Sequence, residues 1–293
     1  MGRFRLRGRR RRNRAQRLRT EMIPLRTIAP NLVTSMAACA GITSISLSSE
    51  GRFLHALVAL LVACVCDGMD GRIARLLKAS SKLGAELDSL ADFVNFGVAP
   101  AMFMFFWLTG RHFGSDAVLV SDPRLVRVIL GCSLFYALCD CFRLARFNTM
   151  LEQETAPYWK HFFTGVPAPG GCWMVLTPAI LSIALEAKRD IPRLQEVLQS
   201  PAFGMAMLLF VGALMASRLP TVSLKAVHLR GRAQVRAFTT FALLLIGLLF
   251  CDIWLTLGVL GLCYMLTVPV TCWTFRRARA RYEALLTSRP DKV

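Results

Sequence analysis

DGMDGRIARLLKASSKLGAELDSLAD, residues 67–92, sets four aspartates at regular intervals between two long apolar runs. Asp67 and Asp70 lie three residues apart and Asp88 and Asp92 four apart, so each pair shares one helical face. Residues 76–83 read as a short link, and a helical hairpin around it brings the four carboxylates together. Small residues extend both stripes, through Gly71 and Ala74 on the first helix and Gly84, Asn95 and Ala99 on the second. They leave room for a bulky ligand to approach the backbone. Ionised carboxylates crowded into a partly dehydrated place repel one another and lose hydration unless cations offset the cost. An oxygen-only ligand set suits Mg²⁺ or Mn²⁺, and Mg²⁺ takes its remaining ligands from water and substrate phosphates. The stretch therefore predicts a divalent-metal site with a phosphorylated partner, and its spacing argues against four solvated loop charges.

Asp67, Asp70, Gly71, Ala74, Arg75, Gly84, Asp88 and Asp92 fit D-x2-D-G-x2-A-R-x8-G-x3-D-x3-D without a mismatch, which resembles the CDP-alcohol phosphotransferase signature. The resemblance implies an integral membrane enzyme that joins a hydroxyl compound to a CDP-linked lipid or alcohol and releases CMP. It implies Asp67, Asp70, Asp88 and Asp92 as ligands of two divalent ions, with Asp92 also the candidate general base. It also implies that Gly71, Ala74 and Gly84 admit the cytidine diphosphate, with Arg75 near its phosphates. Asp92 has two readings, a base that takes the acceptor's proton or a fourth metal ligand.

Composition independently predicts a membrane protein. The chain is 55% hydrophobic, yet carries 36 Lys+Arg against 18 Asp+Glu, a formal net charge of +18. Apolar spans fall near 28–48, 53–75, 86–109, 125–147, 169–187, 201–217, 237–252 and 254–275, each near the length that crosses a hydrocarbon core. The expected fold is an all-α bundle of about eight transmembrane helices with its active site on the cytoplasmic side. Its expected divisions are a basic tail over 1–27, a six-helix core over 28–220, a loop and transmembrane hairpin over 221–275, and a second basic tail over 276–293.

With a cytoplasmic amino terminus, 29 of the 36 Lys+Arg fall in cytoplasmic segments and 7 on the opposite side, as the positive-inside rule requires. This orientation predicts cytoplasmic termini and an aspartate hairpin exposed to soluble nucleotide and metal; the expected location is a bacterial inner membrane. The arginines before Glu21 suit anionic headgroups; arginine runs also bind nucleic-acid phosphates and occur in organellar transit peptides, but no folded nucleic-acid reader accompanies them. Ala38-Cys39-Ala40 has the small residues of a signal cleavage site, but the apolar run continues through Ile42, Ile45 and Leu47. The ten cysteines form no C-x-x-C pair and lie in or beside the spans, which predicts packing rather than disulfides or zinc.

Beyond the hairpin, Pro30-Asn31 with Thr34 resembles the family's first helix, which lines the CDP pocket; Asn31 also reads as an interfacial helix cap. In CDCFRLARFN, Arg143 and Arg146 share a helical face and suit a carboxylate or phosphate, or snorkelling at the interface. That stretch, FFTGVPAPGG over 162–171 and FVNFGVAPA after Asp92 resemble bacterial phosphatidylserine synthases, the serine-using branch. This resemblance implies CDP-diacylglycerol and L-serine as substrates, Asn95, Arg143 and Arg146 near the serine or phosphate, and membrane lipid and a homodimer partner around the bundle. Glycerol 3-phosphate, inositol phosphate, inositol and choline are the alternative acceptors within the family. A divalent-cation transporter is the reading of another class; the apolar VAPAMFMFFWL and LHALVALLVAC offer it no polar path.

Overall fold

The computed structural model describes residues 25–287 apart from 80, 111–119, 121, 151–161, 187–190, 218 and 223–231. Residues 1–24 of the first basic tail and 288–293 of the second lie outside the described residues. Helix α1, Leu25–Ser49, packs along α2, Phe53–Leu76, after a tight turn in which Gly51 adopts a φ of 75°. Helix α2 ends where Lys78 takes a left-handed φ of 50°, and Ser81 opens α3, Lys82–Asp92, by accepting the Gly84 N–H at 3.0 Å. The predicted hairpin link shortens to the residues between Leu76 and Lys82.

The third span is not one regular helix. A π-helical turn, Phe93–Val98, separates α3 from α4, Ala99–Thr109. Pro100 lacks the N–H that would satisfy the Phe96 carbonyl in α-helical spacing. The Ala99 N–H instead reaches back five residues to Val94, and the Tyr136 hydroxyl donates to Phe96 O at 2.8 Å. Tyr136 belongs to α5, Pro123–Met150, and is fully buried, so the irregular turn is pinned from the neighbouring span.

Helix α6, Ala168–Glu186, is the most enclosed span. Helices α7, Pro192–Gln199, and α8, Pro201–Ala216, meet at a 57° bend. Two short strands, β1 at Phe162–Thr164 and β2 at Pro220–Val222, pair antiparallel, with Phe162 opposite Val222. Helices α9, Arg232–Cys251, and α10, Ile253–Thr287, complete the order, and Asp252 between them caps α10 by accepting the Leu255 N–H at 2.9 Å. Buried Phe96, Phe103, Met104, Met174, Leu208 and Met215 form the centre, while Met36, Val65, Leu138, Phe142 and Phe210 face outward. Outward apolar side chains on long helices suit a lipid surround, and the protein is a multi-pass helical membrane protein.

Among the described residues, six helices are long and apolar enough to cross a membrane, or seven if the bent pair counts as one span. The exact count of eight is not confirmed by these residues. Helix α8 alone has 16 residues, about 24 Å at 1.5 Å per residue, and needs α7 to approach a bilayer's thickness. The run at 237–252 is helical within α9 as far as Cys251, and α10 continues past 275 to Thr287, into the segment expected to be tail.

Candidate active site

Asp67, Asp70 and Asp88 each offer a carboxylate oxygen such that the three oxygens lie within 4.8 Å of one another. The end of α2 and the start of α3 thus converge as the stripes predict. Asp70 is buried and held from two sides: Thr34 on α1 donates its hydroxyl to Oδ2 at 2.6 Å, and the Gly71 N–H donates to Oδ1. Charge-assisted bonds of this kind orient a carboxylate before any ligand arrives. Three carboxylates with no cationic side chain among them are an oxygen donor set that fits Mg²⁺ or Mn²⁺.

Asp92 stands outside that trio but within hydrogen-bonding reach of Asp67. Its Oδ1 is buried without a hydrogen-bond partner among the described residues. It is the last residue of α3, so the π-helical turn begins directly beyond it.

A cavity of about 540 Å³ opens beside the trio. Asn31, Thr34, Gly71, Ala74, Arg75 and Gly84 all line it, together with Asp70 and Asp88. Asn31 sits inside α1, six residues after its start, so it is not that helix's cap. Its side chain instead lies across Gly84, where an added Cβ would come within 2.9 Å of Asn31 Oδ1 and 3.1 Å of Ser81 Oγ. At Gly71 a Cβ would meet nothing within 4 Å, so that glycine leaves open volume. Arg75 folds its Nε–H back to the Gly71 carbonyl at 3.1 Å, which holds the guanidinium at the cavity wall.

The two arginines of span four have different surroundings. Arg146 donates from Nη1 to Ala216 O and from Nη2 to Ser217 O, both at 2.9 Å, and so satisfies carbonyls at the end of α8. Gly165, with a φ of 82°, presses its backbone against the same place; a Cβ there would lie 2.8 Å from Met215 O. Arg146 therefore ties α5 to α8 and to the Gly165 loop, a role that a 70-residue separation hid from sequence spacing. Arg143 turns toward Asp140, 4.0 Å away, and its side chain is 13% exposed.

Asp140 was not among the predicted site residues, although an aspartate well inside an apolar span, three residues before Arg143, was a readable signal. It is fully buried against the π-helical turn; a Cβ on Gly97 would come within 2.8 Å of its Oδ2. Asn95, also fully buried, lies against Gly41 of α1. The site thus has two compartments, a cavity with the metal-type trio and a buried polar cluster behind Asp92.

Residues 27–188 match the CDP-alcohol phosphatidyltransferase family. The chain is 39% identical over 160 residues to a Mycobacterium leprae protein named CDP-diacylglycerol–serine O-phosphatidyltransferase, covering 54% of this chain and 48% of the relative. A Helicobacter pylori protein of the same name is 35% identical over 152 residues, 52% of this chain and 57% of the relative. One from Saccharomyces cerevisiae is 38% identical over 120 residues, 40% and 38% of the two chains. The chain spans about half the length of the bacterial relatives named here. All eight positions of the aspartate signature fall inside the matched region; six of them line the cavity, Asp67 joins the carboxylate trio and Asp92 lies beside Asp67, and the chain belongs to the CDP-alcohol phosphatidyltransferase family.

Proposed function

We propose that this protein transfers the phosphatidyl group of CDP-diacylglycerol to the hydroxyl of L-serine, giving phosphatidylserine and CMP. The observation that carries this reading is the junction of the two compartments at Asp92. On one side lies a cavity lined by the residues expected to hold CDP; on the other lies a polar cluster with Arg143 and Asp140. The names of the relatives support serine as the acceptor.

Asp67, Asp70 and Asp88 would hold a divalent cation, which, when bound, supplies positive charge to the phosphate oxygens. Asn31, Gly71, Ala74 and Gly84 receive the nucleotide, Thr34 holds Asp70 in place, and Arg75 lies near the phosphates. Asp92 accepts the serine proton as the hydroxyl oxygen attacks the phosphorus that carries diacylglycerol. The bond from that phosphorus to the bridging oxygen breaks, and CMP leaves with the electron pair. Arg143 meets the serine carboxylate with a planar guanidinium. The excess of Lys+Arg on one side supports cytoplasmic termini, with α9 counted as a span, and an active site facing the cytoplasm of the inner membrane.

The test is a panel of alcohols offered to purified protein with CDP-diacylglycerol and Mg²⁺ or Mn²⁺, with the lipid products identified by mass. Phosphatidylserine with stoichiometric CMP is the expected result. Use of glycerol 3-phosphate or inositol with serine ignored would overturn the acceptor assignment. Cation flux without CMP would overturn the enzymatic reading.

A further inference from the structure

Eight buried side-chain polar atoms have no hydrogen-bond partner among the described residues, and six of them belong to Asp92, Asn95, Asp140 and Arg143. They are Asp92 Oδ1, both amide atoms of Asn95, both carboxylate oxygens of Asp140, and Arg143 Nε. Asn95 packs against Gly41 of α1, whereas Asp92, Asp140 and Arg143 act on one another electrostatically, so their four unpartnered atoms form one buried group suited to a polar guest. Asp140 and Asn95 are 0% exposed, and Asp140 acts electrostatically on Asp92. Arg143 Nη1 stands 4.0 Å from Asp140 Oδ1, too far for a hydrogen bond, so the pair does not satisfy itself.

The backbone explains why the cluster forms. Tyr136, Asp140 and Arg143 follow one another at four and three residues along one face of α5. Tyr136 fastens that face to the π-helical turn through Phe96 O, which sets Asp140 against Gly97. A side chain at residue 97 would displace the carboxylate, so glycine keeps its approach open.

We infer that Asp140 receives the ammonium group of an amino-acid acceptor, making the site selective for a zwitterionic alcohol. The inference rests on the serine reading above and adds the group that recognises the amine. Asp140 supplies the negative charge, Arg143 the positive one for the carboxylate, and Asp92 takes the hydroxyl proton. The three polar groups of serine thus meet three side chains that each keep at least one buried atom without a hydrogen-bond partner among the described residues. Asp140 is a specificity residue and takes no proton in transfer.

The experiment compares serine with 3-hydroxypropanoate, which keeps the hydroxyl and carboxylate and lacks the amine, using the purified full chain, CDP-diacylglycerol and Mn²⁺. Wild-type protein should favour serine, and Asp140→Asn should lower kcat/KM for serine by about tenfold to a hundredfold, the loss of a charge-assisted contact. The same variant should use 3-hydroxypropanoate as well as wild type does, so the ratio between acceptors collapses. Equal losses for both acceptors would mean that Asp140 only positions Arg143, and an unchanged kcat/KM for serine would mean that it touches nothing on the acceptor; either overturns the inference and leaves the serine reading standing. Wild-type protein that ignores serine and uses an amine-free alcohol overturns both. Should the variant fail to fold, acceptor binding to wild-type protein decides: serine held at least tenfold tighter than 3-hydroxypropanoate supports the inference, and equal affinities overturn it.

Discussion

Gly71→Leu should move stability and ligand affinity in opposite directions. Gly71 lies in the last turns of α2, where a helix-forming side chain gains about 0.5–1 kcal/mol over glycine. An added Cβ meets nothing within 4 Å, so the protein itself offers no clash. The new side chain nevertheless enters the cavity of about 540 Å³ that Gly71 lines. A nucleotide that needs the space meets overpacking of about 1–3 kcal/mol, or about 5- to 150-fold in Kd. Thermal unfolding in detergent should therefore give a Tm unchanged or raised by about 1–3 °C, while binding of CDP-diacylglycerol weakens. Gly68→Leu is the control, because Gly68 is equally open to a Cβ but does not line the cavity. A fall in Tm with Gly71→Leu, or undiminished affinity, would refute the argument from open volume.

Asp92→Asn should cut kcat steeply while Mn²⁺ binding, followed by paramagnetic resonance, stays near wild type; loss of metal binding first would make Asp92 a ligand. Arg146→Ala should destabilise the protein by about 1–3 kcal/mol, since two carbonyls at the end of α8 lose a charged donor, with the KM for serine little changed in the folded fraction; a serine-specific KM rise would return Arg146 to the acceptor site. Tyr136→Phe removes the donor to Phe96 O and should cost about 1–3 kcal/mol in unfolding measurements; no change would mean that the π-helical turn does not depend on that bond.

The aspartate stripes and most spans were legible because both rest on local periodicity. Carboxylates three and four residues apart must share a helical face, and α2 and α3 deliver them to one place. Gly71, Ala74 and Gly84 continue those stripes, Asn31, Thr34 and Arg75 follow from a resemblance, and all six line one cavity. What escaped depends on distant partners. Nothing near Arg146 in sequence announces the α8 carbonyls, and nothing near Phe96 announces Tyr136, forty residues on. The stripe from Gly84 to Ala99 assumes 3.6 residues per turn throughout, and the π-helical turn before Pro100 makes that spacing slip.

That slip has a mechanical consequence. A π-helical turn holds one residue more than an α-helical one, so everything after Val98 is rotated by about 100° relative to an uninterrupted helix. The half of the span that carries Asp88 and Asp92 and the half that carries Phe103 and Met104 are thereby phased independently. The first can be aimed by the demands of phosphoryl chemistry and the second by the demands of anchorage among its neighbours, though both lie on one continuous rod. Deleting a single residue from 93–98 would couple the two again: either the carboxylates or the aromatic face would swing away from its target, without any functional side chain having been changed.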